Sequence, residues 1–353
     1  MKKVVILGDT ILNNEPLGIQ RFAYEILLEL DSQETEVEIE MLIPENVECK
    51  IKFNYIKIVR YGSYKIPFVW RQIYFPLYVK KNKALAVDLT LGLCVFSKGV
   101  TAIFDCIYEN CPNDFNTIKE KIKRKSYLFR AKQVIRNSKK IITISKYSKQ
   151  DIQDYYKVSD NKIEIVYCGW QHYNRVNLDN TILDRLHLKA NGYIFSLGSS
   201  LPHKNFEWII RAAQNNSQYQ FVVTGTNRLS NYINKLGNKE LSNILFTGFL
   251  KDEEVKALMT KCLLFVHPSL YEGFGIPPLE ALSCGKKVAT SKETCLPEIF
   301  LNSVVYFDAE SPKPEIKNIL LTETDSKQKI LEKYSWKISA EKMKRIFIEL
   351  IKE

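Results

Sequence analysis

Short apolar runs recur from one end of the chain to the other, each closed by Gly, Asp or Ser and followed by a stretch whose apolar residues fall at helical spacing. That alternation marks βα units around parallel sheets. In the first half it predicts strands at 4–8, 37–43, 85–90, 100–104, 140–145 and 163–167, and helices over 18–30, 68–80, 116–137 and 146–156. A second series predicts strands at 193–198, 220–225, 244–248, 263–269, 287–290 and 304–307. The polar stretch around 170–190 separates the series and is the expected hinge. From Trp336 to the end, Ile338, Met343, Ile346, Phe347 and Leu350 keep helical spacing and predict a closing helix.

A chain of 353 residues is too long for one ordinary core and fits two domains of roughly 170 residues each. Open parallel sheets bind ligands outside the carboxyl ends of their strands, so two such sheets facing each other predict a deep site between the domains. With 26% charged residues of both signs the chain is of globular type, and its net charge of +11 asks for a partner. Eight cysteines are scattered without a CxxC or a His pair at zinc spacing, which points to reduced thiols in a cytosolic protein. The first apolar run is too short for a signal-peptide core. No run reaches the roughly 18 apolar residues of a membrane span, so any membrane contact is expected to be peripheral.

The most constrained stretch is YEGFGIPPLE at 271–280. It follows the buried-strand pattern LLFVHPS and leads into PPLEALSCG, a helical pattern with Gly285 placed as a C-cap. Pro277 or Pro278 suits a first helical turn, where a missing N–H costs nothing. The opening N–H groups favour an anion, and Gly273 and Gly275 let it approach the backbone, as a diphosphate would. Glu272 and Glu280, acceptor-only groups, suit sugar hydroxyls. The plain alternative is a strand, turn and capped helix in which Glu280 complements the helix dipole. A second loop, GSSLPHKN at 198–205, also lies between a predicted strand and helix and places Lys204 at the mouth of the same sheet. A lysine there neutralises phosphates and stabilises charge growing on a departing nucleotide.

These residues resemble glycosyltransferase family 4, the retaining enzymes with the GT-B fold, an α/β architecture of two facing Rossmann-like domains with an inter-domain cleft. The E-x7-E motif matches at Glu272 and Glu280, Lys204–Asn205 matches the donor-phosphate lysine, and HPSLYEGFGIPPLEALSCG and CLPEI read as the family does. GIQRF at 18–22, ITISKYSKQDI at 142–152 and YSW at 334–336 extend the likeness over most of the chain. The resemblance implies an acceptor-side domain over 1–170, a nucleotide-sugar donor domain over 171–335, and a helix over 336–353 crossing back to the first domain. It implies that Glu280 holds the donor ribose, Glu272 contacts the donor sugar and Lys204 the diphosphate, with no cofactor and no metal. Gly273, Phe274, Gly275 and Ile276 would line the donor, together with Gly18 and Ser199. Phe249 and Leu250 in GFLKDEE would lie near the base; the same segment also reads as a turn with Asp252 as N-cap.

Many family members carry a His-Asp pair in the first domain, where this chain has AIFDCIYENCP: Phe104 stands in the histidine position and Asp105 remains as the catalytic candidate. Many also have an arginine shortly before the lysine, where Ser199 and Ser200 stand here. Arg21 and His203 are the candidates for the missing positive charge. His267 reads as packing, and His172 and His187 join no recognisable constellation.

Residues 119–140 hold ten Lys or Arg against Glu120 alone, with Ile122, Tyr127, Leu128, Phe129, Val134 and Ile135 interleaved. The pattern predicts one buried and one basic helix face, which is either a solvated surface or a site of adsorption to anionic lipid. The aromatic and basic stretch at 64–81 is a second such element. The expected function is transfer of a hexose, mannose first, from a GDP- or UDP-linked sugar to a lipid-linked oligosaccharide or glycan acceptor in bacterial surface polysaccharide synthesis. The alternatives are a GT-B epimerase or hydrolase, a non-catalytic nucleotide-sugar binding protein and, for the charge alone, a nucleic-acid binder; no recognition motif supports the last, and no nucleic-acid partner is expected.

Overall fold

The computed structural model describes residues 3–12, 18–32, 36–199, 201–225 and 241–352; Ser200 lies outside them. The chain divides into two compact units. One comprises Met1–Asn110, Phe115–Gly169 and Ser335–Glu353, and the other Cys111–Asp114 and Trp170–Tyr334.

In the first unit β1 (Lys3–Leu7), β2 (Glu38–Ile43), β3 (Lys57–Arg60), β4 (Leu85–Asp88), β5 (Gly99–Ala102), β6 (Lys140–Thr143) and β7 (Ile163–Ile165) form a parallel sheet in the order β3-β2-β1-β4-β5-β6-β7. Its central strands are buried on both faces, which is why they read as continuous apolar runs rather than alternating ones. One side packs Leu93, Ile103, Tyr127, Ala131, Val134 and Ile152; a second cluster gathers Trp70, Phe75 and Val79 on Val5 and Leu42. The closing helix Trp336–Lys352 packs on Ile19–Leu30, with Trp336 edge-on to Phe22 at 5.9 Å, and Ser339 donates to Tyr167 O at 2.6 Å.

The second unit repeats the plan with β8 (Tyr193–Leu197), β9 (Gln220–Thr224), β10 (Ile244–Gly248), β11 (Leu264–His267), β12 (Val288–Ser291) and β13 (Val305–Phe307), ordered β10-β9-β8-β11-β12-β13 and all parallel. The helix Phe206–Asn215 buries Phe206, Trp208, Ile209 and Ile210 on this sheet. Strand order reverses between β8 and β11. The loops that leave these two neighbours therefore flank the crevice where open α/β sheets take ligands.

Several expectations need correction. The strand β3 has no counterpart in the sequence reading, because KIVR is short and half exposed at a sheet edge. The helix expected over 68–80 is broken into Pro67–Val69, a π-helical turn Trp70–Tyr74 and Phe75–Lys81. Pro76 has no N–H for the helical ladder, and the wide turn lies just before it. The units divide at Gly169, and the stretch that follows is tied to the second of them: Lys256 donates to Tyr173 O and Val176 O at 2.6 Å each, and Thr181–Arg185 packs on Asp252–Lys261. Lys251, not Asp252, is the N-cap of that last helix, and its N–H donates to Glu254 at 2.9 Å. On the basic helix Ile118–Asn137 only Tyr127, Ala131, Val134 and Ile135 are buried; Ile122 and Phe129, expected on the inner face, are exposed. Among the described residues no helix is long and apolar enough to cross a membrane.

Candidate donor site at the second switch point

The loop after β8 ends in the short 3-10 turn Pro202–Lys204, and Asn205, with φ +50°, turns the chain into the helix Phe206–Asn215. The loop after β11 runs from Pro268 to Gly275, where φ is +92° and the helix Ile276–Ser283 begins. Only glycine takes that conformation at low cost, and a Cβ there would stand 2.8 Å from Leu296 Cδ2. The two loops are stitched together: Leu270 N–H donates to His203 O at 2.7 Å and Ser269 Oγ to the same oxygen at 3.2 Å.

Across this seam Lys204 Nζ meets Glu272 Oε1 at 2.7 Å, and His267 Nε2, from the end of β11, meets the same oxygen at 2.8 Å. The Glu272 side chain is 14% exposed and that of Lys204 31%, so a cation and its counter-ion both reach the surface of the crevice. Burial would raise the Glu272 carboxyl, but Lys204 and His267 reverse this and hold it well below the usual carboxylate range. Glu272 is therefore an anion under ordinary conditions. Its backbone is fixed as well: its N–H donates to Thr294 Oγ1 at 3.2 Å, and its carbonyl accepts from Cys295 Sγ at 3.2 Å.

Glu280, at the fifth position of the helix, is not joined to Glu272. Its Oε1 is bonded to His172 Nε2 at 2.7 Å, in a pair almost closed to solvent on the histidine side. The two glutamates are thus held separately, one by the loop after β8 and one by the 3-10 turn Gln171–Arg175.

His203 does not supply the missing positive charge. Burial, followed by the charge of Lys204, pushes its imidazole below the ordinary histidine value, and its Nδ1 is hydrogen-bonded to the buried carboxylate of Asp114. It is a neutral strut that fixes the turn carrying Lys204. Phe274 is buried edge-on to Tyr334 at 5.3 Å, so only its backbone faces the loop, beside Gly273, Gly275 and Ile276. Ser199 Oγ accepts from Leu201 N–H at 3.2 Å and shapes the first loop. Phe249, 80% exposed, and Leu250, buried, follow β10, which is separated from β8 by β9.

The remaining candidates lie in the first unit. Gly18 has φ +53° and is the N-cap of Ile19–Leu30, with Arg21 in its first turn. Asp105 Oδ1 accepts from Ile107 N–H at 3.0 Å. Phe104 is buried edge-to-face on Phe22 at 4.9 Å, an apolar core position where a charged ring would lose its solvation.

His267 and His172 are the side chains bonded to the two glutamates that sequence reading passed over. His267 ends a strand at the ligand edge of the sheet, five residues before Glu272, and that placement is a usable signal. His172 lies 108 residues from Glu280, and only the fold brings them together.

The chain is similar to several known proteins. The "Serotype-specific mannosyltransferase WbdA" of Escherichia coli is 32% identical over 174 residues, 45% of this chain and 21% of that protein. The "O-antigen chain mannosyltransferase RfbU" of Salmonella typhimurium is 29% identical over 205 residues, 56% of each chain. The alignments thus span about half of these relatives' length or less. Among solved structures, Anabaena HepE in complex with UDP and glucose superposes with a TM-score of 0.71 over 99% of this chain and 100% of that one, at 15% identity. The pair of Rossmann-like sheets is the GT-B fold. Residues 184–342, which hold Lys204, Glu272 and Glu280, match the family described as glycosyl transferases group 1.

Proposed function

We propose that the protein is a retaining glycosyltransferase of family 4 that moves a hexose from a nucleoside-diphosphate sugar to a lipid-linked oligosaccharide or other glycan acceptor in bacterial surface polysaccharide synthesis. The observation that carries this reading is the pairing of Lys204 with Glu272 at the second switch point, beside the Gly275 helix start. In this reading Glu272 and Glu280 are the two ends of the E-x7-E motif. The names of WbdA and RfbU favour mannose, for which a GDP-linked donor is the first choice; HepE, crystallised with UDP and glucose, keeps a UDP-sugar as the second choice.

The donor diphosphate displaces Glu272 from Lys204 and takes the ammonium and the opening N–H groups of the helix as its counter-charge. Glu272, released but still held by His267, accepts hydrogen bonds from hydroxyls of the donor sugar. Glu280 keeps Oε1 on His172 and offers Oε2 to the ribose. The bond between the anomeric carbon and the phosphate oxygen breaks, an acceptor oxygen bonds to that carbon on the same face, and the acceptor proton passes to the leaving phosphate. Lys204 stabilises the charge that grows on that phosphate, and the configuration is retained. The protein would work in the cytoplasm, at the inner face of the plasma membrane.

One observation favours a second reading, a nucleotide-sugar binding protein without turnover: Phe104 fills a core position where many family members have a histidine. A thermal-shift screen with GDP, UDP, ADP and the matching sugar nucleotides, without metal, tests the donor site. A ligand at 100 times its Kd stabilises the native state by about 2.7 kcal/mol, a readily measured shift. No shift with any of them at millimolar concentration overturns the donor assignment. A shift without transfer to any acceptor, and without consumption of the sugar nucleotide, selects the second reading.

A further inference from the structure

We propose that the outward face of the helix Ile118–Asn137, together with the adjoining Phe68, is a docking surface for an anionic lipid bilayer. At about 100° per residue, Ile118, Ile122, Lys125, Phe129, Lys132 and Arg136 fall within about 80° of arc, opposite the buried Tyr127, Ala131 and Val134. All six are exposed, and the three apolar ones strongly so: Ile118 80%, Phe129 67% and Ile122 64%. Large apolar side chains in a row on the side of a helix away from its core are not explained by packing within the unit.

The charge around them selects the partner. Glu120 is the only acid in 118–137, and its carboxylate is tied back to Thr117 in the capping box, accepting from Thr117 N–H at 2.9 Å. On the flank of the stripe, the Arg130 guanidinium lies over the ring of the exposed Phe68 at 5.8 Å, which sets a second element beside the helix. Beyond Phe68 a shallow cavity is lined by Ile73, Leu77, Lys80, Lys83, Phe96 and Lys98. Between residues 64 and 98 the only acid is Asp88, which is buried. Exposed apolar side chains flanked by lysines and arginines, with no exposed acid beyond one capped glutamate, are the chemistry of an interfacial element. The apolar groups enter the headgroup boundary, and the cations meet anionic headgroups.

This surface belongs wholly to the first unit and does not rest on the donor reading. The test is co-sedimentation of the whole protein with vesicles of phosphatidylcholine alone and of phosphatidylcholine mixed with phosphatidylglycerol. The expected result is binding to the mixed vesicles at least about tenfold stronger than to the neutral ones, weakened by salt. Two double variants, Ile122→Ser with Phe129→Ser and Lys125→Glu with Lys132→Glu, should each lower binding at least about tenfold, because both terms contribute. These positions are exposed, so an unchanged melting temperature and an unchanged circular-dichroism spectrum confirm that each variant is folded. Equal binding to both vesicle types, binding to neither, or variants that bind like the wild type overturns the proposal. A concentration-dependent dimer that the Ile122/Phe129 variant abolishes, with no vesicle binding, assigns the face to a second copy instead.

Discussion

Glu272→Gln removes one negative charge and leaves the shape of the side chain. In the protein this carboxylate accepts from Lys204 and His267 through one oxygen, at 2.7 and 2.8 Å. Hydrogen bonds to charged groups are worth about 1.5–3 kcal/mol each, and Lys204, partly exposed, recovers part of its loss in water. The variant should therefore lose about 1.5–3 kcal/mol at neutral pH. The pH dependence carries the stricter test. Because the folded-state carboxyl titrates below its unfolded value, the stabilisation is fully present above the unfolded pKa of about 4.3 and is lost as pH falls toward the folded one. In that window the unfolded chain carries the extra proton, so wild-type stability falls by up to about 1.36 kcal/mol per pH unit more than that of the variant. His203, lowered by burial, adds its own loss below its unfolded value of about 6.5, a larger one in the variant, which lacks the Glu272 charge that favours the protonated ring, so the comparison is read below about pH 4.5. Urea unfolding of both proteins from pH 7 to pH 3 reads the difference. Convergence of the two stabilities below about pH 4.5 is the expected result; parallel curves would show that Glu272 is not held by this network and would refute the reasoning.

Three further outcomes follow from single contacts. His172→Ala frees Glu280 Oε1 and should weaken nucleoside binding by about tenfold, or about 1.4 kcal/mol, in titration calorimetry, while His172→Asn retains part of it. Gly275→Ala forces φ +92° on a residue with a Cβ that meets Leu296 at 2.8 Å, and should lower stability by at least about 1 kcal/mol in thermal unfolding. Phe104→His, which restores the more common family residue, should destabilise by about 1–3 kcal/mol through burial of an imidazole against Phe22 without raising turnover; a gain in turnover would show that this position faces the reaction.

The repeated βα pattern was legible because central parallel strands are buried on both faces and appear as unbroken apolar runs. The edge strand β3 was not, since KIVR exposes two of its four residues and has no apolar run to notice. The break at Trp70–Tyr74 was foreshadowed only by Pro76, whose effect depends on which carbonyl it leaves without a donor. In the site, Lys204 and the Glu272 loop could be read from local spacing, because strand, loop and helix start are neighbours in sequence. Glu280 could be marked but not given its partner, because His172 reaches it across 108 residues. His203 looked like a spare cation, but the fold buries it beside Lys204, which lowers its imidazole, and sets its Nδ1 on Asp114, 89 residues earlier. The apolar stripe of the basic helix was misplaced by treating every apolar residue as inward-facing, although Ile122 and Phe129 stand on the far side from Tyr127 and Val134.

The most direct test of the donor site separates its two ends. Calorimetry should compare wild type, Lys204→Ala and Glu280→Gln, each titrated with the nucleoside diphosphate that stabilises the protein and with the corresponding nucleoside. Lys204→Ala should weaken diphosphate binding by about 10- to 100-fold, the value of one charged hydrogen bond, and leave the nucleoside unaffected. Glu280→Gln should weaken both ligands alike. If Lys204→Ala leaves diphosphate affinity unchanged, or if the two variants act identically on both ligands, the Lys204–Glu272 seam is not a phosphate site and the account of this protein as a sugar-nucleotide transferase fails at its centre.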